Sequence, residues 1–130
     1  LVLASENRSD AAAGRDSRYR LKQRIFDFIE RNLDAEDLSP NTIAKANRIS
    51  SSYLYSLFSD NNTTVSQFIQ ARRLQRAYEL LVADPGGAVT ISEIAYRVGF
   101  KNASHFSRSF SRHFHVAPRD ARQLGLCVKA

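Results

Sequence analysis

The stretch Val98-Gly-Phe-Lys-Asn-Ala-Ser-His-Phe-Ser-Arg-Ser-Phe110 decides how this chain is read. Phe106 and Phe110 are four residues apart, the spacing of a buried helical stripe, and Ala103 and Phe114 extend it. Lys101, Ser104, His105, Arg108 and Arg112 form a second stripe, at i, i+3, i+4, i+7 and i+11. Gly99 supplies a turn before the helix and Asn102 an N-cap. One face of this helix asks for a core. The other presents hydroxyls, an imidazole and guanidinium groups to a partner.

The same layout occurs earlier in the chain. Thr42–Phe58 (TIAKANRISSSYLYSLF) aligns with Glu93–Phe110 (EIAYRVGFKNASHFSRSF). Ile43-Ala44 matches Ile94-Ala95 and Ile49 matches Phe100, each 51 residues on. After one inserted residue, Leu54 matches Phe106 and Phe58 matches Phe110, 52 apart. Each unit is a short helix with a small Ala where helices cross, a turn, a large apolar residue, a polar cap and a second helix. That is the sequence shape of a helix-turn-helix, and an in-register repeat makes it specific. At the position of Gly99 the first unit has Arg48, so the neighbouring Asn47 is expected to take the left-handed conformation there.

The remaining segments also read as helical. Leu21, Ile25, Phe28, Ile29 and Leu33 repeat at helical spacing from Ser17 onward. Ser39-Pro40 opens a helix to about Ala46, and Ser50 caps one through Phe58. Thr64 and Gln67 have capping-box spacing and open a helix to about Val82; "ADPGG" ends it. Thr90 and Glu93 repeat the box, and Ala117-Pro118 starts a last short helix. The expected fold is all-α: about seven helices, two helix-turn-helix subdomains joined by a long linker helix. The boundaries are 1–16 for a linker or the end of a connecting segment, 17–63 for the first subdomain, 64–83 for the linker helix, 84–124 for the second subdomain and 125–130 for a tail. The 19 residues from Thr64 to Val82 span about 28 Å, close to the 34–36 Å between successive major grooves on one face of DNA. Their apolar positions cover more than one face, which implies burial against both units.

Charge narrows the partner. The 130 residues carry 19 Lys+Arg and 13 Asp+Glu, a net charge of +6. Residues 41–130 hold 12 basic and 5 acidic residues, against 7 and 8 in residues 1–40. A basic half of this kind suits a polyanion, first of all nucleic acid. In the second unit Ser104, His105 and Arg108 suit base edges in a major groove, while Lys101 and Arg112 at the ends of the stripe suit phosphates. The first unit's outer face, Ser51, Ser52, Tyr55, Ser56 and Ser59, is uncharged and should contribute less electrostatic binding.

Several classes find no support. There is no Gly-x-Ser-x-Gly elbow and no glycine-rich phosphate loop, and the three His lack carboxylates or Cys at ligand spacing. No enzyme activity, metal or cofactor is expected. A single cysteine, Cys127, fits a reducing compartment, and no apolar run approaches the roughly 20 residues that span a bilayer. The chain contains no Met, which leads to the expectation of a longer parent protein. The rival reading is a helical protein-interaction module with a basic face.

These motifs, Ile43–Phe58, Phe68–Leu81 (FIQARRLQRAYELL) and above all Thr90–Arg122, resemble the DNA-binding domain of the AraC/XylS family of bacterial transcription regulators. The resemblance covers about residues 20–122. It implies two helix-turn-helix units on a linker helix, double-stranded promoter DNA as ligand, activation by contact with RNA polymerase, a cytoplasmic, nucleoid-associated location and, in many members, a preceding sensor or dimerisation domain. It implies base contacts by Ser52, Tyr55 and Ser56 in the first unit and by Ala103, Ser104, His105 and Arg108 in the second. Phosphate contacts are expected from Ser51, Lys101, Asn102 and Arg112, and a structural role from Arg73. The chain departs from the family pattern at His115 and Asn62, where Gly is usual, and at Ala121, where an aromatic is usual.

Overall fold

The computed structural model describes residues 2–129, with side chains described for residues 13–124. It contains seven helices and, among the described residues, no strand: α1 Val2–Arg31, α2 Pro40–Ala46, α3 Ser51–Ser59, α4 Val65–Ala83, α5 Ile91–Arg97, α6 Ala103–Phe114 and α7 Pro118–Lys129. The helix starts follow local chemistry. Ser39, Ser50, Thr64, Thr90 and Asn102 each accept a backbone N–H of the first turn on their side chains. The reciprocal bond of a capping box forms at Thr64–Gln67 and also at Ser39–Thr42. At Thr90 only the forward bond to the Glu93 amide is made. Residues 2–16 lie on the same helix as Ser17–Arg31, as the end of a connecting helix would, whereas α7 continues past residue 124 to Lys129, longer than expected. The side chain of Cys127 lies outside the described residues.

Two buried clusters share α4. Ile25 and Ile29 of α1 and Leu33 just after it pack with Ile43, Leu54, Leu57 and Phe58, and with Val65 and Ile69 from the first half of α4. Leu74, Ala77 and Leu81 from its second half pack with Ile94, Ala95, Val98, Phe106, Phe110 and Ala121. At 3.6 residues per turn, the two buried sets on α4 point about 130° apart around its axis. One rigid rod therefore carries a different core on each side. In the second core the rings of Phe100, Phe106, Phe110 and Phe114 form a chain with successive centroids 5.2, 5.6 and 4.7 Å apart, closed by Tyr78 at 5.0 Å. Phe26, Phe58 and Phe68 make the matching triangle in the first, at 5.1–5.6 Å.

Three arginines of α4 fasten it to the end of α1 and to the loop that follows. Arg72 Nε donates to Glu30 Oε1 at 2.5 Å, and Arg76 donates to the Glu30 carbonyl at 3.3 Å. Arg73 donates from Nε to the Leu33 carbonyl and from a terminal nitrogen to the Ala35 carbonyl, both at 2.8 Å. The Glu30 carbonyl lies in the last turn of α1, where the macrodipole is negative, and the Leu33 and Ala35 carbonyls lie in the loop just beyond it. Burial pulls the Arg73 guanidinium below its usual pKa, with the Asp34 carboxylate opposing; the bond to Glu30 raises that of Arg72. At the far end of α4, Asp84 accepts the amides of Val89 and Ala88 at 2.9 and 3.1 Å. Arg122 of α7 donates to the Val89 carbonyl at 2.5 Å and approaches Asp84 at 3.5 Å.

Candidate nucleic-acid interface

The two turns that deliver α3 and α6 are built alike. In the first, the amides of Asn47, Arg48 and Ile49 donate to the carbonyls of Ile43, Lys45 and Ala44 at 3.0–3.3 Å. In the second, those of Val98, Gly99 and Phe100 donate to Ile94, Tyr96 and Ala95 at 2.9–3.1 Å. Each is a Schellman turn with a left-handed residue at its centre. That residue is Arg48 (φ 57) in one unit and Gly99 (φ 101) in the other. Asn47 does not take this role, contrary to the sequence reading. It is buried with φ −99, and its side-chain amide donates to the Ile43 carbonyl at 2.8 Å. Being inside the unit decides its conformation, whatever its tolerance for positive φ.

Gly99 is needed for a second reason. A Cβ there would collide with the Leu33 carbonyl oxygen and lie 2.7 Å from Arg73 Nε. The turn before α6 is thus pressed against the bond that fastens α4 to the loop after α1. Arg73 is where the first unit, the linker and the second unit meet.

On α3, Ser52, Tyr55 and Ser56 are exposed, opposite buried Leu54, Leu57 and Phe58. Ser51 is half-buried and its hydroxyl donates to Asn41 Oδ1 at 3.1 Å. Asn41, on the exposed side of α2, carried no sequence signal. On α6, Ser104, His105, Arg108 and Arg112 are exposed, opposite buried Phe106, Ser109 and Phe110. Ala103 is half-buried, so it offers a methyl edge only. Lys101 and Asn102 are exposed in the turn, and Asn102 Oδ1 accepts the His105 amide at 2.9 Å, leaving its NH2 free to donate outward. The His105 ring leans on Phe100, with centroids 5.7 Å apart. An apolar buttress fixes where this imidazole points.

The candidate residues do not form one patch. Lys101, Asn102 and His105 line a cleft of about 410 Å³ with Ser39 and Pro40 at the start of α2 and with Arg73. Arg112 lines a different groove, about 460 Å³, with Thr63, Gln67 and His113. Ser66 and Gln70 of α4 line both. Ser52, Tyr55 and Ser56 line neither. Among the described residues no group of three or more His, Cys, Asp or Glu sits at metal-binding distance, and no helix is long and apolar enough to cross a membrane.

A family model described as a helix-turn-helix domain matches residues 43–124. Among curated proteins, the chain is 40% identical over 96 residues to the transcriptional activator RhrA of Rhizobium meliloti, covering 74% of this chain and 30% of that protein. It is 33% identical over 95 residues to the transcriptional activator NphR of a Rhodococcus species, covering 73% and 28%. The chain thus spans about a third or less of these relatives. Among solved structures, a Chromobacterium violaceum transcriptional regulator described by its AraC-type DNA-binding domain superposes with a TM-score of 0.72 at 29% identity, covering 87% of this chain and 96% of that one.

Proposed function

The chain belongs to the AraC/XylS family of DNA-binding transcription regulators, and from that premise we propose that α3 and α6 enter successive major grooves of one promoter duplex. The observation that carries this reading is the pair of matched turns, each presenting a capped helix with an exposed polar face, on opposite halves of one 19-residue rod. A rod of that length is about 28 Å, so a single chain engages two half-sites without dimerising.

In this reading Arg108 makes a bidentate bond to guanine, with Ser104 and His105 on neighbouring base edges and the Ala103 methyl in apolar contact. Ser52, Tyr55 and Ser56 read the other groove by hydroxyl bonds and by tyrosine contact with a thymine methyl. Lys101, Asn102, Arg112 and Ser51 hold phosphates and set register; Ser51 exchanges its bond to Asn41 to do so. The chain acts in the cytoplasm as the output half of a longer, effector-responsive activator, contacts RNA polymerase, and carries no catalytic centre of its own.

The test is a gel-shift titration of the 130-residue chain against a duplex selected from a random-sequence pool and against unselected duplex. The selected site should bind at least about a thousandfold more tightly. Both affinities should fall steeply between 50 and 200 mM salt as counterions are released. Equal affinity for the two duplexes overturns the proposal and gives the basic face to an acidic protein instead.

A further inference from the structure

We propose that Arg20, Arg24 and Arg48 form a phosphate clamp beside the first unit, outside both recognition helices, that grips the sugar-phosphate backbone flanking the groove α3 enters. This rests on the reading that the chain binds duplex DNA through α3 and α6.

The three arginines line one open cleft of about 530 Å³, together with Ser17 and Asn47. Arg20 and Arg24 are one helical turn apart on α1, and all three arginines are exposed. Arg18 and Lys22 pair with Asp60 at 2.7 and 3.3 Å, and Arg72 and Arg76 with Glu30 at 2.5 and 3.8 Å. Among the described residues no carboxylate pairs with Arg20, Arg24 or Arg48; Arg20 makes one long bond, 3.4 Å, to the Asp16 carbonyl. Three like charges held together without a counter-charge repel one another, and a bound polyanion removes that cost.

Arg48 adds a separate argument. It occupies the left-handed position that Gly99 fills in the second unit, and a side chain there is strained. Its side chain makes no hydrogen bond or ion pair among the described residues. The first unit thus holds an arginine on strained backbone where a glycine would be relaxed, and its side chain lines the cleft with Arg20 and Arg24.

Location fixes the ligand. Arg48 is three residues before Ser51, so their Cα atoms are within about 11 Å. The major groove is about 12 Å wide, so phosphates flank whatever helix sits in it at that range. A clamp at this place reads no bases. It adds affinity and salt dependence equally to every sequence.

The test measures affinity against salt for the selected duplex and for random duplex. Arg20→Ala/Arg24→Ala should lower the slope of log K against log salt by about 1.8 on both duplexes, leaving the ratio between them unchanged. The loss relative to wild type should then be about twelvefold larger at 50 mM than at 200 mM salt. Arg15→Ala/Arg31→Ala removes the same charge from α1 outside the cleft and should change the slope by less than half as much. Arg48→Gly should weaken DNA binding while raising the melting temperature. If both double variants shift the slope equally, or if Arg48→Gly leaves affinity unchanged, the clamp is overturned. Wild-type preference for the selected duplex is scored in the same titration, so loss of the clamp and loss of the DNA reading are told apart.

Discussion

Gly99→Ala perturbs the point where the two halves of the molecule meet, and its cost can be worked from the structure. An alanine at φ 101 leaves the region open to L-residues, at about 1–2 kcal/mol. Its Cβ also collides with the Leu33 carbonyl oxygen and crowds Arg73 Nε and Cζ at 2.7 and 2.8 Å. Relief requires the turn to move away from the Leu33 carbonyl oxygen, and the shift of that stretch of loop loosens the bonds Arg73 makes to the Leu33 and Ala35 carbonyls. A partly buried bond from a charged donor is worth about 1.5–3 kcal/mol, so loss of one of the two brings the total to about 2.5–5 kcal/mol. That is a large share of the 5–15 kcal/mol typical of a domain.

Urea denaturation followed by far-ultraviolet circular dichroism measures this cost. Arg73→Ala alone should cost about 2–4 kcal/mol by leaving the two carbonyls without their donor. The double variant should cost less than the sum, because removing Arg73 also removes two of the three atoms the new Cβ meets. The coupling should fall in the 0.5–3 kcal/mol range of residues in contact. A Gly99→Ala protein within about 0.5 kcal/mol of wild type, or strict additivity with Arg73→Ala, would refute the claim that the turn of α6 is braced on this bond.

Further expectations concern single residues. Arg108→Ala should cost about 1–3 kcal/mol on a selected duplex and relax preference at one base pair, measured by titrating single-base variants; Ser56→Ala should cost less. His115 closes α6 at φ 62 with its side chain exposed, so His115→Gly should raise stability by about 0.5–1 kcal/mol, the left-handed penalty less the entropy of glycine. Asp84 is held below the ordinary 3.8 by the Val89 amide first, helped by that of Ala88 and by Arg122, and Asp60 is held low by Arg18 and Lys22. A depressed carboxylate contributes stability above its unfolded pKa and loses it as pH falls through the folded one. The urea midpoint should therefore drop below about pH 4, and the drop should be smaller in Asp84→Asn, whose amide cannot titrate.

The sequence made the helices and their faces readable because the signals are local. A Ser, Thr or Asn bonding an amide three residues on depends on nothing distant, so the five caps were visible. Burial at 3.6-residue spacing placed Ser52, Ser56, Ser104, His105 and Arg108 outward, and each is exposed. What depends on packing was not readable. Asn47 and Arg48 both suit a turn, and only the burial of Asn47 assigns the strained position to Arg48. Arg73 stood out as an arginine in the linker helix. Its partners lie 38 and 40 residues away in a loop with no motif. Ser51's bond to Asn41 is likewise a product of how α2 and α3 cross, and the cleft that gathers Arg20, Arg24 and Arg48 of how α1 lies against the turn between them. Charge counting gave the sign of the surface but not which cations are already paired.

Methylation protection of guanine N7 on a selected duplex tests the central claim most directly, because that atom lies in the major groove. Two protected clusters should appear, centred about 10–10.5 base pairs apart on one face, and Ser52→Ala/Tyr55→Ala/Ser56→Ala should erase one of them while leaving the other. A single cluster, or two clusters about half a turn apart on opposite faces, would contradict the account of one rod carrying two readers.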